Sequence, residues 1–164
     1  MTNHHVIDGG NKWTVILSND DEIEGTVLGS DEYLDLAVLR IALNTNMPAL
    51  TVADMTKLKT GDQVMVVGSP VGDEYFNTVT NGIISGLNRL VEVSATNNAN
   101  NSIIMEVLQT DTAINSGNSG GPLCNSNGEV IGITNMKLAK TGVEGMGFAI
   151  TIEDAKEASE AIIS

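Results

Sequence analysis

The sequence predicts an all-β fold that ends in a single helix. Short apolar segments recur along most of the 164 residues and are separated by polar, Gly-containing or Asn-containing turns. This spacing is typical of strands in a β-sandwich or β-barrel. Segments such as residues 22–28 alternate apolar and polar side chains, which is the period of a half-buried strand. Helical spacing is convincing only from residue 151 onward.

The predicted strands follow one another with little helix between them. The first two form a hairpin around the polar turn 18–21. A dipeptide, Asn81-Gly82, marks a turn or bulge inside the fifth strand. In order, the strands are predicted at residues 13–17, 22–28, 35–41, 63–67, 78–87, 102–108, 121–124, 129–134 and 145–150.

The terminal helix has a recognisable start. Thr151 is expected to cap it, and Asp154 occupies the capping-box position three residues later. Ile152, Ala155 and Ile162 then form an apolar stripe, which predicts one face packed on the strands.

Composition excludes some classes of function. The net charge is −13 with eight Lys and Arg residues, which argues against a nucleic-acid partner because phosphate binding needs clustered basic side chains. Cys124 is the one cysteine, so no internal disulfide can form, and we expect the thiol to be buried. No signal peptide is recognisable after Met1, and no apolar run approaches the ~20 residues of a membrane span.

Three motifs point to nucleophilic catalysis. His5 lies in Thr-Asn-His-His-Val, Asp35 precedes Leu-Ala-Val, and Ser119 lies in Gly-Asn-Ser-Gly-Gly. The order His, Asp, Ser is that of a chymotrypsin-type serine protease. A serine hydroxyl needs an imidazole base, and the imidazole needs a carboxylate to orient it. The glycines allow a sharp turn, in which the N–H groups of Gly117 and Ser119 are the expected oxyanion donors.

Other interpretations of these motifs are weaker. The segment also fits the Gly-x-Ser-x-Gly elbow of α/β-hydrolases, but that class has its histidine after the serine, and both histidines here come before it. His4 is the second choice for the base, and Asp31 and Asp111 are weaker candidates for the carboxylate. We expect no metal site, because two adjacent histidines lack further ligands at suitable spacing.

The sequence resembles the HtrA (Do/Deg) serine proteases. The resemblance implies two chymotrypsin-like antiparallel β-barrels with the catalytic site between them. It assigns the base to His5, the orienting carboxylate to Asp35, the nucleophile to Ser119 and the oxyanion donors to Gly117 and Ser119. The matching segments are residues 2–7, 29–31, 35–41, 61–62, 68–70, 78–85, 109–111, 113–115, 117–123 and 147–150.

The resemblance also implies a division into domains and a biological role. Residues 1–72 are expected to form the first barrel, residues 73–150 the second, and residues 151–164 the terminal helix. The family has strands ahead of the histidine motif and a PDZ module after the helix, so we expect the first barrel to be N-terminally truncated, which leaves open a weak or absent activity of this chain. The resemblance implies ATP-independent cleavage of unfolded or misfolded proteins, without a cofactor, by a bacterial protein that is extracytoplasmic or membrane-anchored. It leaves a homotrimer open for the full-length protein, but we do not expect one of this chain by itself.

Specificity can be predicted from three positions. Ala113 lies six residues before Ser119, where a protease selecting Lys or Arg would have Asp. With Ile114 beside it, we expect a small apolar pocket that favours Val or Ala; Lys137 leaves open a preference for Glu. A rival function is a catalytically silent fragment that binds extended peptides by strand addition along an open barrel edge.

Overall fold

The computed structural model describes residues 1–42, 47–69, 77–94, 102–138 and 144–164. Within these ranges the chain forms a three-stranded sheet, a closed barrel of six strands and a C-terminal helix. The predicted all-β architecture with a terminal helix is therefore confirmed.

The elements follow the predicted order closely. A short helix, α1, spans His4–Ile7, and the terminal helix, α2, spans Ile152–Ile163. Short 3₁₀ turns lie at Met55–Lys57 and Met136–Leu138. The strands are β1 Trp13–Ile16, β2 Glu22–Asp31, β3 Leu36–Ile41, β4 Gln63–Gly68, β5 Thr78–Ser94, β6 Ser102–Thr110, β7 Pro122–Asn125, β8 Val130–Thr134 and β9 Gly147–Thr151.

The first sheet is open. Its order is β1-β2-β3, all antiparallel, with an irregularity in β2 between Val27 and Gly29. Ahead of α1, Thr2 forms an isolated antiparallel bridge with Ala37, the second residue of β3. The backbone N–H of each residue donates to the carbonyl of the other, at 3.0 and 2.7 Å. This bridge fixes the chain just before the two histidines against the start of β3.

The second sheet closes in the order β4-β5-β6-β9-β8-β7. Here one prediction is wrong: the strand at residues 63–67 was assigned to the first barrel, but β4 pairs with β5 and β7 in the closed barrel. The physical reason is packing, since Val64 and Val66 are buried in one cluster with Leu123 and Ile131. The alternating residues of β4 therefore face the interior of this barrel.

The turn or bulge predicted at Asn81-Gly82 is also wrong. Both residues lie in register within β5, opposite Met65 and Val64. Glycine is needed at 82 for a different reason: a Cβ there would overlap the Asp111 carboxylate and lie 2.8 Å from the backbone N of Thr112. Gly82 thus permits close approach of two chain segments without breaking the strand.

Helix α2 joins the two sheets. The predicted cap is confirmed, since Thr151 Oγ1 accepts a hydrogen bond from the Asp154 backbone N–H at 3.2 Å. Ile152 and Ala155 are buried in a cluster that combines barrel residues with Leu36 of β3, while a Cβ on Gly29 of β2 would lie 2.9 Å from Ile162 Cγ2. One face of the helix therefore contacts the barrel and its end contacts the open sheet.

Among the described residues, no helix combines the length and the apolar character needed to cross a membrane.

Candidate active site

His5 and Asp35 form a close pair. His5 Nδ1 donates to Asp35 Oδ2 at 2.5 Å, and the backbone N–H of His5 donates to Oδ1 at 2.8 Å. The His5 side chain keeps 19% of its surface exposed, whereas that of Asp35 keeps 7%. Because both carboxylate oxygens bind the same residue, the imidazole is oriented with Nε2 as its remaining nitrogen.

Asp35 is held in an unusual backbone conformation. It ends the turn between β2 and β3 and has φ 52°, the left-handed region that Asp and Asn tolerate better than most residues. Its carbonyl accepts hydrogen bonds from His4 N and Asn3 Nδ2, both at 3.0 Å. This backbone position costs about 1–2 kcal/mol, and the hydrogen bonds around it offset that cost.

Asn135 contributes to the site from the other sheet. Its Nδ2 donates to Asp35 Oδ2 at 3.0 Å, across 100 positions of sequence. Asn135 follows the fully buried strand β8 and is itself 0% exposed. No signal in the sequence marks this residue, because an Asn after an apolar strand carries no local motif. Its hydrogen bond links the carboxylate of the open sheet to the barrel.

Ser119 sits in a turn that needs glycine. Gly117 has φ 98° and Gly120 has φ 80°, conformations that other residues adopt at a cost. Gly120 N donates to Thr134 O at 2.9 Å, and Thr134 N donates to Gly121 O at 2.9 Å. The turn is therefore fixed to the end of β8 by main-chain hydrogen bonds.

The hydroxyl of Ser119 has a defined partner. Met136 N donates to Ser119 Oγ at 3.0 Å; in the described part of the chain no hydrogen bond joins Oγ to His5. Across the same part of the chain, the N–H groups of Gly117 and Ser119 donate to no protein acceptor. Two backbone donors beside a serine hydroxyl are a suitable arrangement for an oxyanion that develops there.

The histidine segment and the serine turn touch. A Cβ on Gly120 would overlap Thr2 Oγ1 and lie 2.9 Å from the backbone N of Asn3. Thr2 and Asn3 immediately precede α1, which carries His5. The close approach therefore brings the segments that carry the predicted base and nucleophile together.

Two of the three predicted specificity residues line one cavity. Ala113 and Ile114 line a cavity of ≈ 370 Å³ together with Met146 and Gly147. Ile114 fills the space above Gly147, where a Cβ would lie 2.7 Å from Ile114 Cδ1. Lys137 lies in the 3₁₀ turn after β8, and its side chain is outside the described part of the structure.

The weaker candidates have other partners. His4 Nδ1 is 2.9 Å from Ser30 Oγ. Asp31 Oδ1 accepts from the backbone N–H groups of residues 33 and 34, and Asp111 Oδ1 accepts from that of Ile83 at 2.7 Å. Cys124 is 5% exposed, and this burial raises the pKa of its thiol. Within the described ranges, no group of three His, Cys, Asp or Glu residues is arranged to hold a metal ion.

Comparison with known proteins agrees with the fold. The trypsin-like peptidase domain family matches residues 1–133, so the chain belongs to that family. Its homologues there are HtrA, or Do-like, serine proteases. It is 46% identical to the serine protease Do-like HtrB of Bacillus subtilis (strain 168) over 95% of this chain and 33% of that protein. It is 45% identical to the serine protease Do-like HtrA of Lactococcus lactis subsp. cremoris (strain MG1363) over 94% of this chain and 39% of that protein.

Solved structures give the same result. An HtrA-type protease, AlgW with a decapeptide, has a TM-score of 0.84 and 39% identity over 99% of this chain and 47% of the other. The serine endoprotease from Yersinia pestis has a TM-score of 0.81 and 36% identity over 99% of this chain and 52% of the other. The chain thus spans about a third of the curated relatives and half of these structures.

Proposed function

We propose that this chain is a serine endopeptidase domain in which Ser119 is the nucleophile, His5 the base and Asp35 the orienting carboxylate. The observation that carries the proposal is the 2.5 Å hydrogen bond from His5 to the buried carboxylate. It leaves Nε2 as the nitrogen available to a serine on the turn that packs against the segment before α1. Homology to serine proteases supports the same roles.

The reaction follows from these roles. His5 Nε2 takes the proton of Ser119 Oγ as the oxygen attacks the carbonyl carbon of a peptide bond. The resulting oxyanion accepts hydrogen bonds from the N–H groups of Gly117 and Ser119. His5 then returns the proton to the leaving amine, and water hydrolyses the acyl-enzyme by the reverse sequence. Removing one oxyanion donor costs about 2.7–4 kcal/mol in comparable sites.

The hydrogen bond from Met136 N to Ser119 Oγ is compatible with attack. A hydroxyl has one proton to donate and two lone pairs that accept. Accepting from Met136 leaves the proton free for His5, and it orients the oxygen. The same N–H stabilises negative charge that develops on Oγ as the proton leaves.

We further propose that the substrates are unfolded or misfolded polypeptides and that a small apolar residue precedes the cleaved bond. The Ala113 and Ile114 side chains support the apolar preference, because neither offers a charge to a basic side chain. The HtrA-type structure that holds a decapeptide supports a polypeptide substrate. Homology to bacterial HtrA proteases supports an extracytoplasmic location and assembly into a homotrimer in the full-length protein.

A fluorophosphonate probe tests the proposal, together with digestion of unfolded casein. The parent chain should be labelled and should digest casein, and both activities should vanish in Ser119→Ala. His4→Ala is the matched control for His5→Ala, because the two histidines are adjacent and only the His5 imidazole binds the Asp35 carboxylate. His5→Ala should lose labelling, while His4→Ala should keep it.

Absence of labelling in the parent would contradict the endopeptidase. If the unlabelled parent and Ser119→Ala both bound an extended peptide, strand addition to the open sheet would replace catalysis as the function. Preferential cleavage after Glu, measured with peptides that differ only in Val or Glu before the bond, would overturn the apolar preference.

A further inference from the structure

Asp35 differs from the other described non-glycine residues with positive φ. Those residues, Asp20, Asn77 and Asn88, are exposed, whereas Asp35 is 5% exposed. A strained backbone conformation persists only where its surroundings determine it, and such strain collects at functional sites. The groups that hold Asp35 in this conformation therefore bear on its function.

Asn3 is one of these groups, and it acts on the backbone of Asp35. Its side chain is 0% exposed, and Nδ2 donates to the Asp35 carbonyl oxygen at 3.0 Å. A carbonyl only accepts, so the amide nitrogen must face it. The backbone N–H of His4 donates to the same oxygen at 3.0 Å. Together the two donors fix the peptide plane that follows Asp35, and with it the direction of the carboxylate.

The oxygen of the Asn3 amide, Oδ1, has no corresponding role in holding Asp35. Its Oδ1 is buried and, among the described residues, has no hydrogen-bond partner. A buried polar atom without a partner is destabilising and calls for an explanation. Leu has the same branched shape and would remove the unpaired oxygen. Stability of the fold therefore does not explain an Asn at this position, whereas its bond to Asp35 does.

We propose that Asn3 is a positioning residue for the reaction: its amide holds Asp35 in the left-handed conformation that aims the carboxylate at His5. Asn3 reaches no reacting atom and acts only through Asp35. This inference rests on the proposed endopeptidase function. It predicts that loss of the amide lowers turnover and weakens the bond between His5 and Asp35, without changing substrate affinity.

The test compares Asn3→Leu and Asn3→Ala with the parent and with Asn125→Ala. Asn125 is the matched control, because it also forms several hydrogen bonds, to Asn127 and Glu129, but lies at the far end of β7. Both Asn3 variants should lower kcat by about 10- to 100-fold with KM unchanged, since a misplacement of 1 Å costs about 100-fold. Asn125→Ala should lower the melting temperature and leave kcat of the folded protein unchanged.

A second readout does not depend on activity. The proton on His5 Nδ1 lies in a short hydrogen bond, so we expect its NMR signal to be strongly deshielded. Because the chain has two histidines, His4→Ala assigns this signal. In the Asn3 variants this signal should move upfield or disappear, and in Asn125→Ala it should not. An unchanged signal together with kcat within twofold of the parent would overturn the inference.

If the parent proved inactive, the proposed function would fail, and the His5 signal would still decide the role of Asn3. If both Asn3 variants failed to fold, hydrogen exchange of the Asn3 side-chain amide in the parent would decide it. Slow exchange would support a fixed bond to Asp35. Exchange as fast as that of an exposed Asn would contradict it.

Discussion

The two sheets position their parts of the site by different means. On the barrel side, the Ser119 turn is held by main-chain hydrogen bonds to Thr134 and by glycines with positive φ. On the open-sheet side, Asp35 and His5 are held mainly through side chains: Asn3 and Asn135 donate to Asp35, and Asp35 accepts from His5. The serine turn therefore depends on positions without side chains, together with the Thr134 hydroxyl, which donates to Asn118 O and Gly121 O. The histidine–aspartate pair depends mainly on side-chain donors.

This difference predicts that the two sides of the site are sensitive to opposite kinds of substitution. Removing a polar group should damage the open-sheet side with little effect on the fold, because the strands themselves remain paired. Adding a Cβ should damage the barrel side, because the turn has no room for it. Helix α2, Asn135 and the close approach of Gly120 to Thr2 and Asn3 connect the two sides, so damage on one side is expected to reach the other through these contacts.

The largest effect is expected from Asp35→Asn. Asn tolerates the same left-handed conformation, so the fold should be retained. The amide no longer stabilises the imidazolium and favours the wrong tautomer of His5, and the corresponding change in a well-studied protease lowers kcat by about 10⁴-fold. Steady-state hydrolysis of an unfolded substrate or a peptide measures this loss, and the melting temperature serves as the control for folding.

A loss smaller than about tenfold in Asp35→Asn would contradict the side-chain mechanism on the open-sheet side. Asp31→Asn is the matched comparison, because Asp31 accepts hydrogen bonds from the backbone of its own turn. It should leave kcat within a few-fold of the parent.

A smaller effect is expected from Gly120→Ala. The added Cβ would overlap Thr2 and press on the backbone of Asn3, and Ala at φ 80° adds about 1–3 kcal/mol of backbone strain. Displacing the histidine segment by about 1 Å lowers kcat by about 100-fold. Activity and the free energy of unfolding should be measured on the same preparation.

Gly128→Ala separates the two causes. Gly128 has φ 77°, yet a Cβ there would meet nothing within 4 Å. This variant should lose stability through backbone strain but keep its kcat. Equal kcat losses in both variants would show that strain, and not contact with the histidine segment, explains the effect at Gly120.

Much of the fold could be predicted from local patterns. The alternation of residues 22–28, the polar turn that follows β1 and the Thr151 cap each depend on neighbours in sequence, and each has its counterpart in the structure. The assignment of β4 failed because pairing partners are chosen by burial across the whole chain. Gly82 was misinterpreted for a related reason: its role depends on Asp111, which approaches only after folding.

The candidate site divides in the same way. Short motifs that indicate a chemical role contain His5, Asp35 and Ser119, so these residues could be selected from the sequence. Asn135 could not be selected in this way, since its hydrogen bond to Asp35 spans 100 positions and no local pattern indicates it. The partner of the Ser119 hydroxyl, the Met136 backbone N–H, was also unpredictable because a backbone group leaves no trace in the sequence.

The smallest predicted effect concerns how easily each sheet opens. Cys124 of the barrel and Val38 of the open sheet are similarly buried, at 5% and 6% exposure. In native protein at neutral pH, Cys124 should react slowly with iodoacetamide, because burial raises the pKa of its thiol and only transient opening exposes it. A single cysteine at position 38, made as Val38→Cys with Cys124→Ala, should react about tenfold faster, because we expect the open sheet to open at a lower free-energy cost; a tenfold ratio corresponds to about 1.4 kcal/mol. Both rates should be measured at low iodoacetamide concentration, where reclosing is faster than alkylation. Dividing each rate by that of the same thiol in the unfolded protein gives the opening equilibrium. Equal rates would mean that the two sheets open as one unit. The Ser119 turn and the His5–Asp35 pair would then belong to a single cooperative fold.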